Sequence, residues 1–156
     1  MQLFMIVNDE EIAKFVSKNG VDRLFIDLEF IGKQDRQGGM DTWKSSHTIT
    51  DVSKIRHAVP QAHLLVRVNP IHDKSKDEIN EVIERGADSL MLPMFTTLDE
   101  LKRFVGFIDG RAEAIPLVET IQALNLVPKI LKEVKLSRIH IGLNDLHIQM
   151  KKTFMF

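Results

Sequence analysis

Short apolar runs alternate with amphipathic stretches along the whole sequence, and this alternation limits the folds open to the chain. The apolar runs cover residues 3–7, 23–29 (RLFIDLE), 63–69 (HLLVRVN), 89–94 (SLMLPM), 112–119 (AEAIPLVE) and 138–143 (RIHIGL). They are nearly continuous in apolar residues, as strands are when helices cover a parallel sheet. Between them, residues 9–19, 50–59, 75–85, 97–108 and 120–134 read as helices. Gly20, Pro60, Gly86 and Gly110 supply stops, and a bend or restart is expected near Pro128. Ile79, Val82 and Ile83 share the one-sided spacing of an amphipathic helix. Strand and helix alternate about once every 25 residues, which predicts an α/β protein.

Two architectures satisfy that order. A length of 156 residues suits one domain, residues 1–156, and by itself favours an open doubly wound sheet. A (β/α)8 barrel normally takes about 250 residues and eight strands. The positions of the polar residues favour the barrel, because barrel chemistry gathers at the C-terminal ends of the strands. The second apolar run ends in Asp27 and Glu29, the third in Arg67 and Asn69, the fourth in Pro93 and Met94, and the fifth in Glu119 and Thr120. The sixth runs into Asn144 and Asp145. Taken singly, an acid after a strand often caps the next helix. Taken together, two carboxylates and a guanidinium on one rim make a divalent-cation site beside a carboxylate clamp. A cation there would hold a 2-oxo acid and stabilise the enolate formed when a neighbouring C–C bond breaks. A separate group, usually His, would move the proton.

Composition removes several classes. Lys+Arg 21 against Asp+Glu 22 gives a net charge of −1, so a nucleic acid held by bulk electrostatics is not expected. No run approaches the roughly 20 apolar residues of a membrane span. The start, MQLFMIVNDEE, lacks the basic region of a secretory signal. The absence of cysteine excludes disulfides, thiolate catalysis and Cys-based zinc sites. A cytoplasmic protein with neither membrane nor nucleic-acid partner is expected.

The segments FIDLE, LVRVNP, GADSLMLPM, IPLVET and IHIGLNDL, in this order, resemble the HpcH/HpaI aldolase and citrate lyase beta-subunit family of metal-dependent pyruvate aldolases. The resemblance implies a (β/α)8 TIM-type barrel of which about six βα units are present, the chain stopping just beyond the metal-site turn. It implies Glu119 and Asp145 as ligands of a divalent metal, Mg2+ first with Mn2+ and Co2+ as alternatives. Arg67 would contact the substrate carboxylate, Pro93 would form a pocket wall, and Gly142 would lie in the metal-site turn. Asp27 and Glu29 match the D-x-E segment of the catalytic rim.

One departure concerns the proton. Aldolases of the family follow D-x-E with His, where this chain has Phe30, which cannot move a proton. His47 and Asp51 recreate an H-x-x-x-D spacing downstream, so His47 is the candidate replacement, held by an acid such as Asp27. Phe30, with Lys33 and Arg36, also leaves room for the branch that cleaves acyl-CoA substrates. The polar loop over residues 32–48, with Gly38, Gly39 and the lone Trp43, is expected to carry specificity, Trp43 as a lid or surface residue. His140 and His147 are secondary candidates near the site. The expected activity is C–C bond cleavage or formation on 2-oxo (4-hydroxy-2-oxo) acids through a pyruvate-type enolate. The alternatives are an acyl-CoA lyase and an inactive or assembly-dependent subunit. An arc of six strands would leave two unpaired edges and a closing apolar segment, Phe154, Met155 and Phe156, so a homo-oligomer is expected.

Overall fold

The computed structural model describes residues 2–32 and 46–153. Lys33, Arg36, Gly38, Gly39, Trp43, Phe154, Met155 and Phe156, and the roles expected of them, lie outside the described residues.

The elements run β1 (Phe4–Ile6), α1 (Glu10–Lys18), β2 (Arg23–Asp27), α2 (Ile49–Ala58), β3 (His63–Arg67) and α3 (Ser75–Glu84). They continue through β4 (Ser89–Leu92), α4 (Leu98–Ile108), β5 (Glu113–Val118), α5 (Ile121–Glu133), β6 (His140–Ile141) and α6 (Leu143–Gln149). All six strands are parallel and lie in sequence order, β1-β2-β3-β4-β5-β6. An open doubly wound sheet needs a point where the strand order reverses; a barrel does not. The unreversed order therefore decides for the barrel type, here as a curled arc of six strands.

Alternation along each strand divides the core in two. Leu64, Val66, Leu90, Leu92 and Val118 face the helices and pack there with Val52, Ile55, Ile79, Val82, Leu101 and Phe104. Their strand neighbours Leu65, Met91, Ile115 and Leu117 face the concave side and pack with Phe4 and Phe25. The curl brings the two ends of the sheet together on that side. Phe4 of β1 stacks on His140 of β6 with ring centroids 6.0 Å apart, and Arg138 donates from Nη1 to Gln2 Oε1 at 2.8 Å.

Below this apolar layer lies a charged one. Arg23, 5% exposed, donates from Nη1 to Glu113 Oε2 at 2.8 Å and to Ser89 Oγ at 3.3 Å. Arg138 Nε donates to the other Glu113 oxygen at 2.6 Å, and His63 Nε2 meets Ser89 Oγ at 2.9 Å. Burial and the Arg23 charge lower the His63 pKa, which keeps this layer from gaining a third cation.

Three features differ from the sequence reading. The ladders of β2, β3 and β4 stop at Asp27, Arg67 and Leu92, so the polar residues beyond them occupy the rim. Residues 138–143 yield only a two-residue strand, and the chain turns into α6, a helix absent from the sequence reading. Pro128 lies inside a continuous α5, on an exposed face where water can satisfy the carbonyl it orphans.

Breaking one partner of a buried ion pair leaves an uncompensated charge. Glu113→Ala should therefore lower the unfolding free energy by about 3 kcal/mol. Lys102→Ala, which breaks the exposed pair with Glu133, should cost less than about 1 kcal/mol. Urea denaturation of both variants checks the contrast; equal losses would contradict it.

Candidate active site

The last pair of the β2–β3 ladder is Asp27 opposite Arg67, and both side chains face the concave side. Arg67 donates to Asp27 in two parallel bonds, Nε to Oδ1 and Nη2 to Oδ2, each 2.8 Å. Its Nε also lies 3.3 Å from Glu29 Oε2. The guanidinium sits over the Phe25 ring at 5.7 Å. Burial alone would lower the Arg67 pKa, but the Asp27 bonds and the charges of Asp27, Glu29 and Glu119 outweigh it and raise it above its ordinary value. Asp27 holds the Nε–Nη2 edge, which leaves Nη1 outside that pairing.

Glu119 follows β5 directly and is 2% exposed. Its Oε1 accepts the Met94 N–H at 2.9 Å. Met94 adopts φ 52°, a left-handed conformation uncommon outside glycine, and this turns its amide toward Glu119. Thr120 caps α5: its Oγ1 accepts the Ala123 N–H at 3.0 Å and donates to the Phe95 carbonyl at 2.8 Å. Gly142 caps α6 immediately beside Glu119. A Cβ at Gly142 would stand 2.7 Å from Glu119 Cβ and 3.0 Å from its Oε2, so only glycine fits this approach.

Asp145 lies in the first turn of α6, beyond Gly142, and is partly buried. Burial pushes the Glu119 carboxyl up to about 7, and the like charges of Glu29 and Asp145 push the same way. The Met94 amide and Arg67 pull it down without prevailing. Excess negative charge on hard oxygen donors is the environment that a divalent cation neutralises. Glu119, Asp145 and the nearby Glu29 carboxylate thus fit Mg2+ chemically. Among the described residues no group of three or more His, Asp or Glu side chains forms a cation site by itself. A two-carboxylate set leaves positions for water and substrate.

The other expected site residues take different places. Glu29 is buried beside Arg67, and Pro93 is buried at the end of β4. His47 meets Asp27 through the backbone, its Nδ1 accepting the Asp27 N–H at 3.0 Å. Its ring lines a cleft of about 400 Å3 shared with Leu28, Phe30, Asn69, His72 and Glu78. Arg67, Glu119 and Asp145 are not among the residues lining that cleft. Phe30 is 71% exposed. His140 faces the concave side, and burial and Arg67 lower its pKa. His147 has a buried Nδ1 without a hydrogen-bond partner among the described residues. The Met94 amide escaped the sequence reading, since nothing in LPMF marks a left-handed methionine. Asn69 was visible as a polar strand end, but its contacts were not.

The comparisons bear on the family and on the fold. The sequence model of the HpcH/HpaI aldolase/citrate lyase family matches residues 1–154. No curated protein matches the sequence. Among solved structures, an HpcH/HpaI aldolase from Desulfitobacterium hafniense DCB-2 superposes with a TM-score of 0.77 at 12% identity, covering 99% of this chain and 67% of that one. Citrate synthase SbnG gives 0.73 at 15% identity, with coverages of 99% and 65%. Macrophomate synthase gives 0.68 at 14% identity, with coverages of 98% and 58%. The chain therefore spans at most about two thirds of the length of these structures, whose likeness shows a shared barrel-type fold. With the family model matched over nearly its whole length, the chain belongs to the HpcH/HpaI aldolase/citrate lyase family.

Proposed function

We propose that this chain carries the catalytic rim of a divalent-cation-dependent carbon–carbon lyase of the pyruvate aldolase type, acting on 2-oxo and 4-hydroxy-2-oxo acids. The observation that carries the proposal is the buried Glu119 carboxyl, pushed up to about 7, facing the carboxylates of Glu29 and Asp145 and the guanidinium of Arg67. Glu119 and Asp145 would hold Mg2+, with Mn2+ or Co2+ as substitutes. When bound, the cation supplies Lewis-acid polarisation of the keto group.

The remaining roles belong to the chain's own side chains. Arg67 uses its Nη1 side for the substrate carboxylate while Asp27 keeps the guanidinium from rotating. Glu29 and Pro93 bound the substrate pocket, and Gly142 leaves the space that Glu119 occupies. His47 accepts at Nδ1, so a neutral ring carries its proton on Nε2. In this tautomer the ring is a hydrogen-bond donor on the cleft it lines, and it does not remove a proton. His47 therefore replaces the family's usual His in polarisation and not as a base.

A second reading, an acyl-CoA lyase of the citrate lyase beta-subunit type, is favoured by one observation: Phe30 stands exposed where the aldolase branch has its His. Assays of 4-hydroxy-2-oxo acids against malyl- and citramalyl-type thioesters separate the two. Turnover confined to the thioesters would replace the first reading by the second.

Glu119→Gln should abolish cation-dependent exchange of pyruvate methyl protons with D2O, followed by proton NMR. Full exchange in that variant would refute the cation assignment.

The Glu119 shift also sets a pH dependence. Its ordinary value is 4.5, so between about 4.5 and 7 the folded protein keeps a proton that the unfolded chain has released. Stability of the cation-free protein should fall as pH rises through this window and level off above it. Cation affinity should rise over the same range, because binding displaces the proton. Between pH 6 and pH 8 the gain in Mn2+ affinity should be about tenfold. Glu119→Gln should flatten the stability trend in urea titrations.

A further inference from the structure

We infer that Asn69, Glu78 and His72, which line the cleft that holds His47, form a positioning relay that holds Glu29 at the cation rim; this rests on the function proposed above. Three side chains on the β3–α3 side of the fold reach the backbone of the segment that follows β2, and every hydrogen in the chain of contacts has one possible direction.

The relay begins at Lys74, whose N–H donates to His72 Nδ1 at 3.2 Å. A ring that accepts at Nδ1 donates from Nε2, and Nε2 lies 3.0 Å from Glu78 Oε2. The other Glu78 oxygen, Oε1, accepts the Asn69 backbone N–H at 3.1 Å and the Asn69 Nδ2–H at 2.8 Å. Asn69, 4% exposed, must therefore turn its Oδ1 toward β2. There Oδ1 accepts two consecutive amides, Phe30 N–H at 3.0 Å and Ile31 N–H at 3.1 Å.

These amides are the ones that immediately follow Glu29. The Glu29 N–H is itself held by Asp27 Oδ1 at 3.2 Å, so the backbone is fixed on both sides of the Glu29 side chain. That side chain is 3% exposed and touches Arg67. Buried and held against Arg67, it depends on its peptide planes for its aim. Asn69 fixes the two planes, Glu78 fixes the amide of Asn69, and His72 holds the second oxygen of Glu78. None of the three side chains has a contact with Glu119 or Arg67 among the described residues, and the hydrogen bonds that lead from them to the rim end on the amides beside Glu29.

Mn2+ titration followed by electron paramagnetic resonance tests the relay. Asn69→Ala should weaken Mn2+ binding about tenfold, as loss of an outer contact does in other metal sites. Glu78→Gln, which keeps the shape but confronts His72 Nε2–H with a donor, should weaken it in the same direction. The double variant should be no weaker than Asn69→Ala alone, because both act through one chain of contacts. In a Glu29→Gln background, Asn69→Ala should add nothing, which a merely destabilising substitution would not reproduce. Circular dichroism confirms folding, and Glu78→Gln carries the test if Asn69→Ala does not fold. Unchanged Mn2+ affinity in a folded variant, or a further loss in the Glu29→Gln background, overturns the relay. Absence of Mn2+ binding by the parent protein overturns the proposed function and the relay with it. Loss in Glu119→Gln alone overturns only the relay.

Discussion

The pairing of Asp27 with Arg67 is the contact on which the rest of the rim depends. It exists because β2 and β3 are parallel and in register to their last residues, so two adjacent side chains of opposite charge end on the same face. Shifting either strand by one residue would send one of them into the helix layer. The pair also resolves an electrostatic difficulty. Three carboxylates gathered on the concave side repel one another, and Arg67 is the cation that faces them. Asp27 spends its charge on Arg67, and the Glu119 carboxyl stays pushed up despite that guanidinium.

That residual charge separates a site from a stability device, and the molecule contains both. At the lower end of the arc, Arg23 and Arg138 share Glu113, and the carboxyl of Glu113 is held below its ordinary value despite its own desolvation, with Ser137 and Arg23 as the main opposing influences. At the upper end, Glu119 is pushed the other way. Both ends use a carboxylate from β5 or the residue that follows it, the partly buried Glu113 and the buried Glu119, six residues apart. The lower one has its counter-charges supplied by the chain. At the upper one, among the described residues, the Arg67 guanidinium does not outweigh burial and the neighbouring carboxylates, and this is the charge that the proposed cation would neutralise.

The alternation of apolar runs was enough to place the strands, because a parallel strand covered by helices needs continuous apolar residues whatever its neighbours are. The polar ends were equally plain: Asp27, Arg67 and Glu119 stand out after runs of Leu, Ile and Val. The choice between an open sheet and a barrel was not local, since it turns on strand order, and motif order had to supply it. Three features were hidden for definite reasons. The sixth apolar run was too short a ladder to keep its strand, and Gly142 let the chain turn into α6 at once. The Met94 conformation depends on Glu119, which lies 25 residues away. The contacts of Asn69 depend on Glu78 from α3 and on amides from the other side of β3.

The replacement of His by Phe30 follows the same logic of backbone against side chain. Phe30 offers its amide to Asn69 and its ring to solvent, so the position contributes to the rim through the main chain alone. A side chain at that position could be changed without disturbing the amide contact that holds Glu29. The imidazole at His47 is likewise tied to the main chain, through the Asp27 amide. Asp27, Arg67 and Glu119 are locked by strand register and by amides, whereas the ring of Phe30 is exposed. A change of side chain at position 30 would leave the oxygen donors and the arginine of the proposed site in place.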